Sequence, residues 1–208
     1  MIKIVNQLLL ASSNRGKLLE IRAILADLPV QILLPGEVGI HLDILEDGAT
    51  YAANAAKKAL AYCRASGLVC LADDSGLEVE ALGGQPGLHS ARYAPWQNAT
   101  DADRRRYLLQ NLAGIPQPWR AHFHCTAAVA APAAQTQQQV RLFVGDCPGE
   151  IIPEERGSNG FGYDPIFYLP EMGLTMAELT MEQKNVLSHR ARAVNAARPF
   201  LVELFALS

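Results

Sequence analysis

Residues Leu71–Ala94 read LADDSGLEVEALGGQPGLHSARYA, and the interpretation of that stretch decides the rest of the chain. The apolar run Leu68–Ala72 leading into it has the composition of a short buried strand. Asp73, Asp74, Ser75 and Gly76 follow, a set of residues typical of a turn. Leu77, Val79 and Ala81 then alternate with Glu78 and Glu80, the period of a half-buried strand. The expectation is therefore strand, turn at 73–76, strand, ended by the Gly83-Gly84-Gln85-Pro86-Gly87 run, which suits unusual backbone angles. Two adjacent carboxylates repel unless a cation or proton lies between them. A strand that ends on such a pair points to a metal or acid/base site rather than a plain corner.

The surrounding composition narrows the class. The chain has 208 residues, half of them apolar and 19% charged, which is the profile of a globular protein with one large domain or two closely packed lobes. A net charge of −3 gives no basic footprint for a nucleic-acid polymer. Cys63, Cys70, Cys125 and Cys147 form no C-x-x-C pair, which argues against a zinc ribbon or a secreted disulfide scaffold and suits a reducing cytosol. The Leu8–Ala11 run is too short for a signal-peptide core, and nothing reaches membrane-spanning length. A cytoplasmic protein without membrane association is expected.

Upstream of the central stretch, Gln7–Ala11 reads as a buried strand. Ser12-Ser13-Asn14-Arg15-Gly16-Lys17 comes next, and Leu18, Ile21, Leu25 and Leu28 fall at helical spacing. A polar, glycine-containing loop that opens a helix exposes unpaired N–H groups at the positive end of the dipole, and Lys17 adds a full charge there. With Ala11 and Leu18 at the defining positions it is not a Walker A loop, but it remains a candidate anion site. A second helix is expected over Tyr51–Ser66, capped by Thr50 and stopped by Gly67. Tyr51, Asn54, Lys58 and Tyr62 share one of its faces, a pattern that in isolation reads as a solvated stripe. Glu46, just before the cap, is either a partner of the helix dipole or a metal ligand.

Downstream, Thr100 caps an expected helix over Asp101–Leu112, with Arg104–Arg106 read as a solvated face. Ala121–Ala131 and Val140–Cys147 read as strands joined by a Gln-rich loop, with His122 and His124 as surface residues of the hairpin. Gly157-Ser158-Asn159-Gly160-Phe161-Gly162-Tyr163-Asp164-Pro165 places aromatic rings among glycines, which lets a flat ring stack on a planar ligand at close backbone approach. A helical region over Met181–Leu207 starts at the capping-box pair Thr180 and Gln183, with a break expected at Pro199. Lys184, Ser188, His189 and Arg190 then gather donors on one helix face, suited to phosphate or a purine edge.

These segments share one chemical theme. Carboxylates hold Mg²⁺, Mg²⁺ holds phosphate oxygens, and basic residues take the remaining charge, so a nucleoside polyphosphate satisfies them all. In that assembly Asn54 and Lys58 are assigned to the substrate. The series SSNRGK, EDGATYAANAAKKA, LADDSGLEVEALGGQPGLHSARYA, GFGYDPIF and AELTMEQKNVLSHRARA, in order from about Leu8 to Ala193, resembles the inosine triphosphate pyrophosphatase family, also called XTP/dITP diphosphatases.

The resemblance implies an α/β fold with an elongated mixed sheet and flanking helices, forming two lobes around a central cleft and acting as a homodimer. It implies Mg²⁺-dependent hydrolysis of ITP, dITP and XTP to the monophosphate and pyrophosphate. By motif position Asp74 is the proton acceptor and a metal ligand, and Ser75 lies against the substrate. Ser12, Ser13, Asn14, Arg15, Gly16 and Lys17 form the phosphate loop. Phe161, Gly162, Tyr163 and Asp164 match the base-binding segment, and Lys184, His189 and Arg190 the C-terminal substrate contacts. Two departures stand out: Ala53 occupies a position where the family often has Glu, and Leu45-Glu46-Asp47 stands where two acids frequently precede the Gly. Glu46 is taken as the second metal ligand, with Asp47 or Asp73 as the alternatives. Selectivity for a 6-oxo purine is expected from donors on Arg190, His189 or the backbone near Phe161. The residue types also admit a pyrophosphatase for other modified nucleotides, or a nucleotide-binding sensor without turnover, against which the Asp73-Asp74 pair weighs. A Ser75 nucleophile is disfavoured because the G-x-S-x-G elbow is absent.

Overall fold

The computed structural model describes residues 6–12, 14–136 and 139–206. Its strands are β1 (Asn6–Leu10), β2 (Val30–Leu33), β3 (Val69–Val79), β4 (Trp119–Ala130), β5 (Val140–Ile151), β6 (Phe167–Leu169) and β7 (Leu174–Thr175). Its helices are α1 (Arg15–Ile24), α2 (Tyr51–Ser66), α3 (Asp101–Leu112), α4 (Met181–Leu187) and α5 (His189–Phe205). The strands form one open sheet in the order β2-β1-β3-β4-β5-β6-β7. It is mixed: β1 runs parallel to β2 and β3, whereas β6 is antiparallel to β5 and β7. This is the mixed-sheet α/β architecture expected from the sequence.

The chain divides into two compact units. The first comprises Met1–Asp74, Cys125–Gly145 and Arg190–Ser208, and the second Ser75–His124 and Asp146–His189. In the first unit both sheet faces are covered, which is why its strands are continuous apolar runs rather than alternating ones. Leu8, Leu10, Val69, Leu71, Cys125, Ala127 and Val129 point into a core shared with Ile21 and Ile24 of α1 and with Val194 and Leu201 of α5. The intervening residues Leu9, Cys70, Ala72, Ala128 and Ala130 face Ala55, Ala59 and Cys63 of α2. Alanine dominates that second core, so α2 packs close to the strands. In the second unit Leu77, Val79, Trp119, Ala121 and Phe123 pack on Leu108 and Leu112 of α3 and on Phe167 and Leu169 of β6. Each fully buried Leu or Phe contributes roughly 1.5–3 kcal/mol relative to leaving it exposed.

Local chemistry explains the helix boundaries. Thr50 accepts a hydrogen bond from the Ala53 N–H and Gly67 closes α2 at a positive φ of 70°, so α2 has the limits expected of it. Thr100 and Asp103 form a capping box on α3, as do Thr180 and Gln183 on α4. Three expectations need correction. No turn interrupts 73–76: β3 runs unbroken from Val69 to Val79. The C-terminal helical region breaks at Ser188, whose ψ of 152° is extended, and Pro199 sits inside α5. Arg104 and Arg105 are not solvated. Arg105 pairs with Glu155 at 2.9 Å and donates to the Gly162 carbonyl at 2.7 Å, while Arg104 pairs with Asp101, and only Arg106 of the three is exposed. His122 and His124 do sit at the surface, paired with Glu78 and Asp146.

Candidate active site

The pleat of β3 separates the two aspartates. Successive residues of a strand point to opposite faces. Asp73 follows Val69 and Leu71 toward the α1 and α5 side, and Asp74 follows Cys70 and Ala72 toward α2. The adjacent pair is thus two separate environments, and no cation is needed between its members. This overturns the reading of Asp73 and Asp74 as a shared corner site.

Asp73 is 1% exposed and belongs to a buried charge cluster. Its Oδ2 accepts from Lys17 Nζ at 3.0 Å and from Arg190 Nε at 3.1 Å, and Arg190 also donates through Nη1 to Glu20. Cys125 Sγ lies 3.9 Å from the same oxygen, its thiol pushed up to about 12 by burial and by the Asp73 charge. Burial alone would raise the Asp73 carboxyl, but the charges of Lys17, Arg190 and Lys58 outweigh it and hold the group well below the usual carboxylate range. Its Oδ2 is occupied by the two cations, which makes Asp73 a structural anchor, while its buried Oδ1 has no hydrogen-bond partner among the described residues.

The anchor serves the loop before α1. Asn14 caps that helix, its Oδ1 accepting from the Lys17 N–H at 3.1 Å. Lys17 sits in the first turn, and the salt bridge to Asp73 fixes its ammonium beside the middle of β3 with 15% of the side chain exposed. Ser12, Gly16 and Lys17 are partly buried, whereas Asn14 and Arg15 are exposed; Ser13 lies outside the described residues. A cavity of about 660 Å³ opens against Ser12, with Leu34, His41 and Tyr62 in its wall, but none of Lys17, Lys58, Asp73 and Asp74 lines it.

Asp74 is treated differently. Burial pushes its carboxyl above the ordinary value, against the pull of Lys58 and the hydrogen bond from Asn54, while the Glu46 charge adds to the rise. Asn54 Nδ2 donates to Asp74 Oδ2 at 3.0 Å. Lys58 Nζ donates to Glu46 Oε1 at 2.6 Å and to the Asp73 carbonyl at 2.8 Å. Tyr51 and Asn54 are buried and Lys58 nearly so, so this face of α2 is not a solvated stripe. Among the described residues no three His, Cys, Asp or Glu side chains converge as a ready-made metal cage. Asp74 with Glu46 nonetheless supplies hard oxygen donors, and Mg²⁺ is ordinarily held by one or two carboxylates plus substrate phosphates.

The glycine-aromatic segment lies in the second unit. Asp164 is 5% exposed, and its Oδ2 accepts from Lys184 Nζ at 2.9 Å and from the Phe161 N–H at 3.0 Å. Gly160, at φ +79°, is required here: a Cβ would sit 2.0 Å from Asp164 Oδ2. The Gly162 N–H donates to Asp101 Oδ2 at 2.8 Å, and Tyr163 Oη donates to the Ser90 carbonyl at 2.9 Å. The Phe161 and Gly162 backbone donors are therefore engaged within the protein, which corrects the expectation that they read a purine O6. Lys184 Nζ stands 5.9 Å from the centre of the Phe161 ring. His189 stacks on Phe123 at 4.7 Å. The break at Ser188 means that Lys184, His189 and Arg190 do not share a helix face: Lys184 joins Asp164, His189 joins Phe123 and Arg190 joins Glu20 and Asp73. Arg190, 2% exposed, is thus not a donor displayed for a base. Ser75 sits partly buried in β3 directly after Asp74.

Glu20 was missed by sequence reasoning. It stands one turn beyond Lys17 on the face of α1 that carries Ile21 and Ile24, and a carboxylate in an apolar helix face is the signal that marks a buried ion pair.

Comparison with known proteins extends over the same segments. The Ham1 family matches residues 8–200. A dITP/XTP pyrophosphatase of Desulforamulus reducens is 44% identical over 200 residues, covering 96% of this chain and 97% of that protein. One of Listeria monocytogenes is 42% identical over 201 residues, covering 96% and 97%. The solved structure of a HAM1 protein from Coxiella burnetii superposes with a TM-score of 0.84 at 41% identity, over 95% of this chain and 99% of that one.

Proposed function

Since this chain belongs to the Ham1 family, we propose that it hydrolyses the aberrant purine nucleoside triphosphates ITP, dITP and XTP to the monophosphate and pyrophosphate, clearing them from the nucleotide pool. The relatives named dITP/XTP pyrophosphatase, matched along almost their full length, support the substrate class. The observation that carries the chemistry is the division of labour across β3. Asp73 holds Lys17 as a fixed cation at the start of α1, and Asp74 is left as a carboxylate whose burial raises its affinity for a proton.

Asp74 acts as the general base: it takes a proton from the water that attacks the α-phosphorus. The raised proton affinity suits that task, since a carboxylate at its ordinary value is a weak base. The charge that develops on the departing pyrophosphate is met by Lys17, by Lys58 and by the N-terminal N–H groups of α1. Asp74 and Glu46 are the residues that would hold Mg²⁺, which when bound neutralises the triphosphate and polarises its phosphoryl oxygens. For the base, the resemblance points to the Phe161–Asp164 segment, whose Phe161 ring offers a stacking surface, and a 6-oxo purine differs from adenine in presenting an acceptor where adenine has an amino group.

We take the enzyme to act as a cytoplasmic homodimer. The resemblance supports the dimer, and the four free, buried cysteines suit a reducing compartment. No helix among the described residues is long and apolar enough to cross a membrane. Replacing Asp74 with Asn tests the chemical assignment. Turnover of XTP should fall by about 10²–10⁴-fold, the range over which a general base contributes, while XTP still binds. A rate equal to wild type removes Asp74 as the base.

A further inference from the structure

We infer that Asn54 is a positioning residue that fixes the Asp74 carboxylate, clamped from behind by the Gly48 N–H, and is not a substrate contact. The inference rests on the reading of Asp74 as the base.

Asn54 is 3% exposed and both ends of its amide are engaged within the protein. Oδ1 accepts from the Gly48 N–H at 2.8 Å and Nδ2 donates to Asp74 Oδ2 at 3.0 Å. The orientation of the amide follows from chemistry. A backbone N–H can only donate, so the atom facing Gly48 must be the oxygen, and the NH₂ is then turned to the carboxylate. Gly48 is matched to this role: a Cβ there would meet Asn54 Oδ1 at 2.6 Å and Ala53 Cβ at 2.9 Å. The missing side chain lets the backbone of the segment before α2 close onto the amide.

The clamp also explains why this position lies on α2. Thr50 caps the helix through the Ala53 N–H, which fixes the first turn and places Asn54 directly under the α2-facing side of β3. Across the same face the ammonium of Lys58 pulls on Asp74, while Lys58 itself is tied to Glu46 and to the Asp73 carbonyl. A carboxylate drawn by a nearby cation rotates toward it unless a second donor holds one oxygen in place. Asn54 supplies that donor, and a base must present its accepting oxygen in a fixed direction to be effective.

Steady-state hydrolysis of XTP by Asn54→Ala, Asn54→Asp, Gly48→Ala and the Gly48→Ala/Asn54→Ala pair, with thermal melts alongside, provides the test. Asn54→Asp keeps the shape and the acceptor for Gly48 but replaces the donor to Asp74 with a second carboxylate, so it removes that hydrogen bond and sets a like charge in its place. Misplacing a catalytic group by about 1 Å costs up to about 10²-fold in rate. We expect kcat to fall roughly 10- to 100-fold in each single variant, with KM changed by less than about threefold. The double variant should be no slower than Asn54→Ala, because both substitutions break one clamp. A tenfold rise in KM at unchanged kcat would make Asn54 a substrate contact and overturn the inference. So would a wild-type kcat in either Asn54→Asp or Gly48→Ala, or additive losses in the pair. If one variant melts below the assay temperature, the other two decide on the same criteria. Asp74→Asn is run in parallel: wild-type turnover in that control refutes the role of Asp74 itself, whatever Asn54 does.

Discussion

Replacing Asp73 with Asn removes one carboxylate from a buried cluster whose formal charges otherwise balance, two cations (Lys17 and Arg190) against two anions (Asp73 and Glu20). Arg190 is 2% exposed, so the uncompensated charge cannot be relieved by water. Breaking a buried pair by deleting one partner costs about 3–5 kcal/mol. In a chain of this size each kcal/mol shifts the midpoint by about 2–4 °C, so Asp73→Asn should melt roughly 6–20 °C below wild type at pH 7. The pH dependence carries a definite sign. The folded-state carboxyl lies below its unfolded value of 3.8, so its stabilisation is fully present above that value and is lost as pH falls through the lower folded one. The gap between wild type and Asp73→Asn should therefore be widest at neutral pH and should narrow once the pH drops past about 4. Calorimetry from pH 7 to pH 3 measures it. Melting points within about 2 °C of each other at pH 7, or a gap that widens on acidification, would refute the electrostatic reasoning.

Three further outcomes follow from the geometry. Gly160→Ala adds a methyl 2.0 Å from Asp164 Oδ2 at a φ of +79°; it should destabilise the protein by about 1–3 kcal/mol and raise KM for XTP, whereas a neutral effect on both would show that Asp164 and Lys184 can shift freely. Lys58→Met removes the ammonium that pairs with Glu46 and pulls the Asp74 carboxyl down by its charge, so the acid limb of the kcat/KM profile should move to higher pH; an unmoved limb would count against Lys58 as the neighbour that lowers Asp74. Chelation by EDTA should abolish hydrolysis and added Mg²⁺ restore it, with a Glu46→Gln variant needing more Mg²⁺ for half-maximal rate; full activity in EDTA would dismiss the metal.

The sequence carried much of this because several segments encode their own ends. Thr50 and Gly67 bracket α2, Thr100 opens α3 and Thr180 opens α4 by local hydrogen bonds that any reading of caps detects. What escaped was long-range. Asp73-Asp74-Ser75-Gly76 has the composition of a turn, yet it runs straight through the sheet because Lys17 and Arg190, the latter 117 positions away, neutralise Asp73. Local propensity contains no trace of that partner. Ser188 looked like one more helical residue and Pro199 like a break. In fact the chain opens where His189 must stack on Phe123 while its neighbour Arg190 joins Asp73 and Glu20. Charged runs misled for the same reason: Arg105 finds Glu155 fifty positions on, and Lys58 finds Glu46. The identities of Lys17, Asp74 and Lys184 were legible as motif residues, whereas the opposite environments of Asp73 and Asp74 emerged only from the pleat.

Product analysis after incubation with XTP, dITP, ITP, ATP and GTP tests the central claim most directly, with wild type and Asp74→Asn side by side. One pyrophosphate should appear for every XMP, dIMP or IMP formed, turnover of ATP and GTP should be far slower, and Asp74→Asn should release almost none. Orthophosphate with a nucleoside diphosphate as the product, or equal turnover of ATP, would contradict it.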